Sequence, residues 1–302
     1  MNIRKQSLYG VVCASVCPMN EDGSVDYEGV KNLTRHLIDD AIHCLYPNGT
    51  NGESLSLTQE ERFKVAETVN TENASQAVLY IQCGSSNVEE SYKHVRHSAK
   101  IGVDGVGLMN PVFFMADEES QRQYFDKILN EMGDFPIYAY NIPTRTGNDL
   151  SPKLLGDLAS LHSNLYGIKY SYPDILRMEH YVDCCPGRHI SVLVGNDSLA
   201  IACYMIGGDG WVSGPSAVFP KRHVQLYEAL KAFDMKKARE IQYRIMRTAD
   251  AMSDIPEIPA IKYMLVKMGI IRHDTCRSPL RPLTSIEKVR LDVIIDDYLT
   301  NG

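Results

Sequence analysis

Lys169 and Tyr140 each stand at the end of a short apolar run, where packing alone does not call for a polar group. Lys169 closes 165–169 (LYGIK), and Tyr140 closes 135–140 (FPIYAY). A lysine amine that loses hydration at a strand end can act as a Schiff-base nucleophile, and a phenol that shares its proton with another hydroxyl can relay it. The alternative interpretations are a lysine that extends to solvent and a core tyrosine.

A small polar loop at 48–54 (NGTNGES) follows another apolar run. Its glycines bring backbone N–H groups close to a ligand, and the Thr50 hydroxyl adds a hydrogen bond, so the loop is suited to a carboxylate or a phosphate. Thr50 is also the expected hydroxyl partner of Tyr140. A tight turn with no ligand is the alternative, and Glu53 is expected to bond the loop's own amides.

Arg145 lies in the stretch 140–147 (YNIPTRTG), which we predict to turn through Asn141, Pro143 and Gly147. Its guanidinium has the fork geometry that holds a carboxylate in two hydrogen bonds. The alternative is a solvated loop arginine. The functional interpretation predicts that a substrate carries a carboxylate at this point.

Eight short apolar runs alternate with amphipathic helical patterns and indicate the elements that position these residues. The runs are 8–17, 42–47, 77–83, 103–109, 135–140, 164–169, 190–194 and 209–213. They are almost continuously apolar, as in parallel strands covered on both faces. The pattern predicts a (β/α)8 TIM barrel, in which reactive residues lie at the carboxyl ends of the strands, and a doubly wound sheet is the alternative.

The strand pattern stops near residue 225, and three helical patterns follow. We therefore predict a catalytic barrel domain over 1–224 and a C-terminal helical segment over 225–302. No low-complexity linker separates the two, which predicts that the helical segment packs on the barrel.

Composition excludes several classes of protein. The 302 residues are 44% hydrophobic, and 31 basic against 38 acidic residues give a net charge of −7, so a nucleic-acid surface is not indicated. The short apolar stretch near the start is a poor signal peptide, and no run is long enough to span a membrane. The eight scattered cysteines are typical of core residues in a reducing compartment, and neither metal-ligand spacing nor a nucleotide-binding motif occurs.

The motifs "GTNGE", "CGSSN", "YNIPTRTG", "GIK" and "GGDGWVS" occur in one order along nearly the whole chain. In this ordered set the sequence resembles the dihydrodipicolinate synthase / N-acetylneuraminate lyase family of class I, pyruvate-dependent aldolases. The resemblance implies that Lys169 forms an imine with the keto carbon of pyruvate and that Tyr140 shuttles protons with Thr50. It also implies that Asn51 and Gly52 help to hold the pyruvate carboxylate.

The resemblance also implies a second group of substrate-binding positions, which are Phe113, Arg145, Ser171, Asp197 and Val212. Synthases of this family carry an arginine where Arg145 stands, which implies a carboxylate on the incoming aldehyde. Phe113 replaces a tyrosine that, in both founding activities, reaches the neighbouring subunit's site.

Two departures besides Phe113 affect the substrate. Ser198 stands where a sialic acid lyase would have glutamate, and Gly214 where it would have serine. The leading expectation is a dihydrodipicolinate-synthase-like enzyme. The alternatives are a 2-keto-3-deoxy sugar acid aldolase or N-acetylneuraminate-lyase-like enzyme, and a catalytically weakened homologue that binds a keto acid as a regulator.

The same resemblance implies small-molecule substrates, pyruvate and an aldehyde, and no metal or other cofactor besides the covalent lysine imine. It implies a homotetramer built as a dimer of dimers. With the cysteine pattern, it predicts a cytoplasmic enzyme.

Overall fold

A computed structural model describes residues 6–301 and contains eight short parallel strands, each inside one of the predicted apolar runs or within one residue of its end. The strands are β1 (Gly10–Cys13), β2 (Cys44–Leu45), β3 (Val78–Gln82), β4 (Gly105–Met109), β5 (Ile137–Asn141), β6 (Leu165–Tyr170), β7 (Ser191–Val194) and β8 (Gly210–Ser213). They form one closed barrel in the order β1 to β8. The predicted TIM barrel is therefore confirmed.

Helices follow the strands and continue beyond the last one. They are α1 (Tyr27–Asp39), α2 (Gln59–Asn73), α3 (Val88–Ile101), α4 (Glu118–Glu131), α5 (Pro143–Thr146), α6 (Pro152–Leu161), α7 (Ile175–Val182), α8 (Ala200–Met205), α9 (Pro220–Lys231), α10 (Met235–Ala251), α11 (Glu257–Lys267) and α12 (Ser285–Asn301). The predicted C-terminal helical segment is confirmed. Its first helix, α9, begins at Pro220, before the predicted start at 225, and the first of the three predicted helical patterns is divided into α9 and α10.

Side-chain caps fix where several of these helices begin. Thr58 accepts the backbone N–H of Glu61 while the Glu61 carboxylate accepts the N–H of Thr58, which is a capping box at the start of α2. Asn87 and Asp117 are the N-cap residues of α3 and α4, and their side chains accept backbone N–H groups of the first helical turn. These caps end each loop at a defined residue, so the strand-to-helix loops have fixed lengths.

The chain divides into two compact units. Among the described residues, the first unit contains 6–12 together with Val78–Val212, and the second contains Cys13–Ala77 together with 213–301. Lys169, Tyr140 and Arg145 belong to the first unit, and Thr50 to the second. The predicted domain boundary at residue 224 stays a prediction.

The pairing register of β4 to β7, all in the first unit, aligns the carboxyl ends of these strands. β4, β5, β6 and β7 pair in parallel, and Met109, Tyr140, Lys169 and Leu193 are successive register partners. Register partners in a parallel sheet point to the same face. The lysine and the tyrosine singled out in the sequence therefore lie side by side.

Within the described range 6–301, no helix is long and apolar enough to cross a membrane.

Candidate active site

Lys169 and Tyr140 are in direct contact. The Lys169 Nζ lies 4.0 Å from the centroid of the Tyr140 ring, and the two side chains are only 5% and 2% exposed. An ammonium over an aromatic face is attracted by the ring quadrupole, and this attraction holds the amine beside the tyrosine. We call these two residues the lysine–tyrosine pair. The arrangement presents a buried amine and a phenol together, which suits nucleophilic catalysis with proton transfer.

The strand end that carries Tyr140 is fixed by a buried polar network that the sequence interpretation missed. The Asn141 Nδ2 donates to Asp149 Oδ1 at 2.7 Å and to the Tyr181 hydroxyl at 3.0 Å. The Asn141 Oδ1 accepts a hydrogen bond of 3.1 Å from Asn110 Nδ2. Burial raises the pKa of Tyr181 to about 12, so this phenol stays protonated and donates to the carbonyl of Leu150.

Arg145 lies on α5, where the sequence interpretation placed a turn. Pro143 is at the first position of this short helix, and Gly147 ends it in the left-handed region with φ of 78°. The Arg145 side chain is exposed, and no salt bridge to it occurs among residues 6–301. Its guanidinium is accordingly available to an anionic ligand.

Phe113 lies on the β4–α4 loop, which is bonded to the Arg145 loop. The Phe113 N–H donates to the carbonyl of Thr146 at 3.1 Å, and the Asn148 Nδ2 donates to the carbonyls of Pro111 and Phe114 at 2.9 Å each. Phe113 adopts φ of 73° and is 85% exposed. The two loops therefore form one bonded structure with the phenylalanine ring in solvent.

The remaining predicted positions of the first unit lie at the carboxyl end of β8 or shortly after β6 and β7. Ser171 packs against Gly195, where an added Cβ would stand 1.9 Å from the Ser171 Oγ. Asp197 begins a 3-10 turn, Asp197–Leu199, and is half-buried. Val212 is buried in β8. Their substrate-binding roles stay predictions.

Thr50, Asn51 and Gly52 lie in the second unit, in what we call the 49–52 loop. The Glu53 N–H donates to the carbonyl of Thr50 at 3.0 Å, which closes the loop into a turn. Thr50 and Asn51 are half-buried. The Asn51 amide lies over Gly214, because a Cβ added at Gly214 would stand 2.1 Å from the Asn51 Nδ2.

The expected bonding of Glu53 to its own loop is wrong. Its Oε1 accepts from Lys262 Nζ at 2.5 Å, and its Oε2 accepts from the Arg277 N–H at 2.8 Å. A carboxylate buried at this depth needs a cation, and the loop offers only neutral amides. The weak signal in the sequence was Lys262 itself, a charged residue inside the apolar helix run 258–266.

The cysteines are free, and six of the eight are buried. Burial raises the pKa of the Cys17 and Cys203 thiols to about 12, so both stay protonated and unreactive. Within residues 6–301, no group of three or more His, Cys, Asp or Glu side chains is placed to hold a metal ion. The expectation of an enzyme without a metal stays a prediction.

A model of the dihydrodipicolinate synthetase family matches residues 7–298. The chain belongs to this family. A 4-hydroxy-tetrahydrodipicolinate synthase of Bartonella bacilliformis is 33% identical to it over 288 residues, which are 95% of this chain and 97% of the relative. The family predicted from the ordered motifs is confirmed, and with it the predicted class of enzyme, a lyase.

Solved structures agree with the family assignment. Dihydrodipicolinate synthase from Aquifex aeolicus matches with a TM-score of 0.91 at 28% identity, over 97% of this chain and 98% of that chain. YagE, a prophage protein of the dihydrodipicolinic acid synthase family from E. coli K12 solved in complex with pyruvate, matches with a TM-score of 0.92 at 26% identity, over 97% and 99%. Both likenesses extend over the barrel and the C-terminal helices.

Proposed function

We propose that this protein is a pyruvate-dependent class I aldolase in which Lys169 forms the Schiff base. The observation that carries the proposal is the buried contact of 4.0 Å between the Lys169 Nζ and the Tyr140 ring, in a chain of the dihydrodipicolinate synthetase family. A relative in this family, YagE, has been solved in complex with pyruvate.

The chemistry follows from an amine beside a phenol. The Lys169 amine adds to the keto carbon of pyruvate, and water leaves to give a protonated imine. The imine draws electrons from the methyl group, which loses a proton through Tyr140 and becomes the nucleophilic carbon of an enamine. That carbon bonds to the carbonyl carbon of an aldehyde, and water then releases the product and the free lysine. Run in reverse, the steps cleave a 4-hydroxy-2-keto acid.

The 49–52 loop is assigned the binding of the pyruvate carboxylate. Backbone N–H groups of Asn51 and Gly52 would donate to it, and the Thr50 hydroxyl would share the proton that Tyr140 relays. This part of the proposal is supported by the family match, whose range of 7–298 includes the loop, and by the turn that the loop forms.

Arg145 favours a second substrate with a carboxylate, which makes 4-hydroxy-tetrahydrodipicolinate synthase the leading specific activity. Its exposed guanidinium has no salt bridge among the residues that the structure describes. Relatives at about 30% identity carry the same name.

A second candidate is an aldolase for a 2-keto-3-deoxy sugar acid. Phe113 has no hydroxyl that could take part in proton transfer. The Asn51 amide lies over Gly214, and a larger residue at position 214 would displace it. These two features favour an acceptor other than that of the synthases. A regulatory protein that only binds a keto acid is the third possibility, which the retained lysine–tyrosine pair disfavours.

The test is the pyruvate-dependent consumption of aspartate semialdehyde by the purified protein, run beside short sugar aldehydes and a Lys169→Ala control. Turnover of the semialdehyde above the control supports the synthase. Turnover of a sugar aldehyde alone supports the second candidate. Binding of pyruvate with no turnover of any aldehyde would leave the regulatory protein.

We also propose a cytoplasmic homotetramer, a dimer of dimers, that uses no cofactor other than the lysine imine. Three consecutive apolar side chains, Phe113, Phe114 and Met115, are 85, 76 and 82% exposed in one chain, and burial against a second chain would remove them from water. Sedimentation velocity of the purified protein decides the assembly.

A further inference from the structure

A fully buried ion pair lies beneath the 49–52 loop. The Lys262 Nζ stands 2.5 Å from the Glu53 Oε1, and the two side chains are 0% and 2% exposed. Lys262 belongs to α11, 209 residues further along the chain. A buried pair of this kind adds little net stability compared with apolar residues of similar size, so its presence is better explained by what it holds in place.

Both oxygens of the Glu53 carboxylate accept hydrogen bonds. The second oxygen accepts the N–H of Arg277 at 2.8 Å, and Lys262 also donates to the carbonyl of Thr275 at 2.7 Å. The residue that follows the 49–52 loop is thus bonded at once to α11 and to the segment that comes after it.

The Arg277 side chain extends this set of bonds to the start of α2. It donates to the Glu61 carboxylate through two nitrogens, at 2.8 and 2.5 Å, and to the carbonyl of Ser56 at 2.7 Å. It reaches the carbonyl of Gly23 as well, at 2.9 Å. We call Glu53, Lys262 and Arg277 the loop clamp.

The backbone on either side of the loop explains why a clamp is required. Asn48 and Glu53, the residues before and after it, adopt left-handed φ values of 59° and 53°. A left-handed conformation is unfavourable for a glutamate and persists only where the surrounding structure determines it, whereas an asparagine adopts it more readily. The clamp fixes Glu53, and a 2.9 Å hydrogen bond from the Asn48 Nδ2 to the carbonyl of Arg62 fixes the other end.

Charge gives the clamp a second effect. A lone carboxylate at Glu53 would stand next to a loop that has to receive an anion. Lys262 cancels that charge where water cannot screen it. Arg277 pairs with Glu61 at a partly exposed position, where the effect of the charge is smaller. The loop amides therefore face an approaching carboxylate without a negative group behind them.

We infer that Glu53, Lys262 and Arg277 are positioning residues for pyruvate, so that α11 and the segment after it set the affinity of the 49–52 loop for the substrate carboxylate. The inference rests on the proposed function, because it takes the carboxylate of pyruvate as the ligand of the loop. None of the three residues touches the reacting atoms.

The experiment measures how much pyruvate is needed to half-saturate borohydride trapping of the imine. In Lys262→Met and in Arg277→Met the half-saturating concentration is expected to rise roughly tenfold. The amount trapped at saturating pyruvate should stay near that of the wild type, because the lysine–tyrosine pair is unchanged.

Two further variants separate positioning from stability and from charge. Leu265→Ala removes a fully buried side chain from the same helix and leaves all three clamp residues in place. Its half-saturating concentration should stay unchanged although it unfolds at a lower temperature. Glu53→Gln/Lys262→Met leaves no unpaired buried charge and is therefore expected to fold. It should still require more pyruvate, because the tie to α11 is weakened. Wild-type affinity in both the double variant and Arg277→Met would overturn the inference.

Hydrogen–deuterium exchange of the peptide that covers 48–54 provides a readout independent of pyruvate. Faster exchange there in Arg277→Met than in Leu265→Ala supports the clamp, and equal exchange in the two variants contradicts it. If the wild-type protein traps no pyruvate, the proposed function fails, and the exchange comparison still decides whether the clamp holds the loop.

Discussion

The lysine–tyrosine pair and the 49–52 loop are held in place in opposite ways. Lys169 and Tyr140 are register partners on β6 and β5, so the hydrogen bonds of one ladder set their spacing. The loop has left-handed residues on both sides, and Glu53 depends on partners 209 and 224 residues further along the chain. The amine that we propose as the Schiff-base nucleophile thus lies on a rigid ladder, while the amides that we propose to bind the carboxylate depend on long-range contacts.

This difference predicts two kinds of defect. Changes in the strand-borne pair should lower turnover at any pyruvate concentration, whereas changes around the loop should be relieved by more pyruvate. Substitutions in the two regions can therefore be told apart by whether excess pyruvate restores turnover.

Lys169→Ala is expected to have the largest effect, because it removes the atom that bonds to the substrate. Turnover should fall by roughly 10³-fold or more at saturating pyruvate. The measurement is the initial rate with the best aldehyde, and thermal unfolding of the variant checks the fold. Turnover close to that of the wild type would remove Lys169 from the mechanism.

Tyr140→Phe should follow, with a loss in kcat of about 10²- to 10³-fold, as expected when a proton-relay group is removed. The ring that contacts the Lys169 Nζ is retained, so borohydride should still trap an imine, at a lower rate. A rise in the half-saturating pyruvate concentration with unchanged kcat would place Tyr140 in binding and contradict the division.

Arg145→Met should raise KM for an aldehyde that carries a carboxylate by roughly 10- to 100-fold, because a charge-assisted pair is lost. KM for an aldehyde without a carboxylate is the control and should stay unchanged. Equal effects on both aldehydes would favour the sugar-acid aldolase over the synthase.

Gly214→Ser should raise the half-saturating pyruvate concentration several-fold, because an added Cβ would lie 2.1 Å from the Asn51 Nδ2 and displace that side chain. Asn51→Thr shortens the side chain, so the double variant Asn51→Thr/Gly214→Ser should recover part of the loss. Additive losses would show that the two positions do not share space.

The smallest effect concerns stability in acid and His223 on α9. Burial lowers the pKa of His223 from 6.5 to about 3, and the adjacent Arg222 adds to this shift. Between these pH values the unfolded chain binds a proton that the folded chain does not, so the free energy of unfolding falls as the pH drops from 6.5 towards 3. His223→Gln should flatten this dependence in urea titrations at several pH values. An unchanged slope would assign the acid sensitivity to other groups.

The strands and the lysine–tyrosine pair could be predicted from the sequence because their signals are local. Each parallel strand is a short apolar run, and Lys169 and Tyr140 stand at the ends of two of them. The parallel pairing of β5 and β6 then makes the two residues register partners at one level of the sheet.

The clamp could not be predicted, because nothing near Glu53 in the sequence identifies its partners. Lys262 pairs with it across 209 residues, and only the fold brings such residues together. The helix α5 was missed for a local reason, since Pro143 and Gly147 mark turns as readily as they mark the start and the end of a helix.

The most direct test of the account is peptide mapping after incubation with pyruvate and borohydride, which reduces an imine to a stable secondary amine. One pyruvate-derived adduct is expected on Lys169, and none on Lys262, whose buried amine is paired with the Glu53 carboxylate. The absence of an adduct, or an adduct on another lysine alone, would contradict the assignment of Lys169 as the Schiff-base nucleophile.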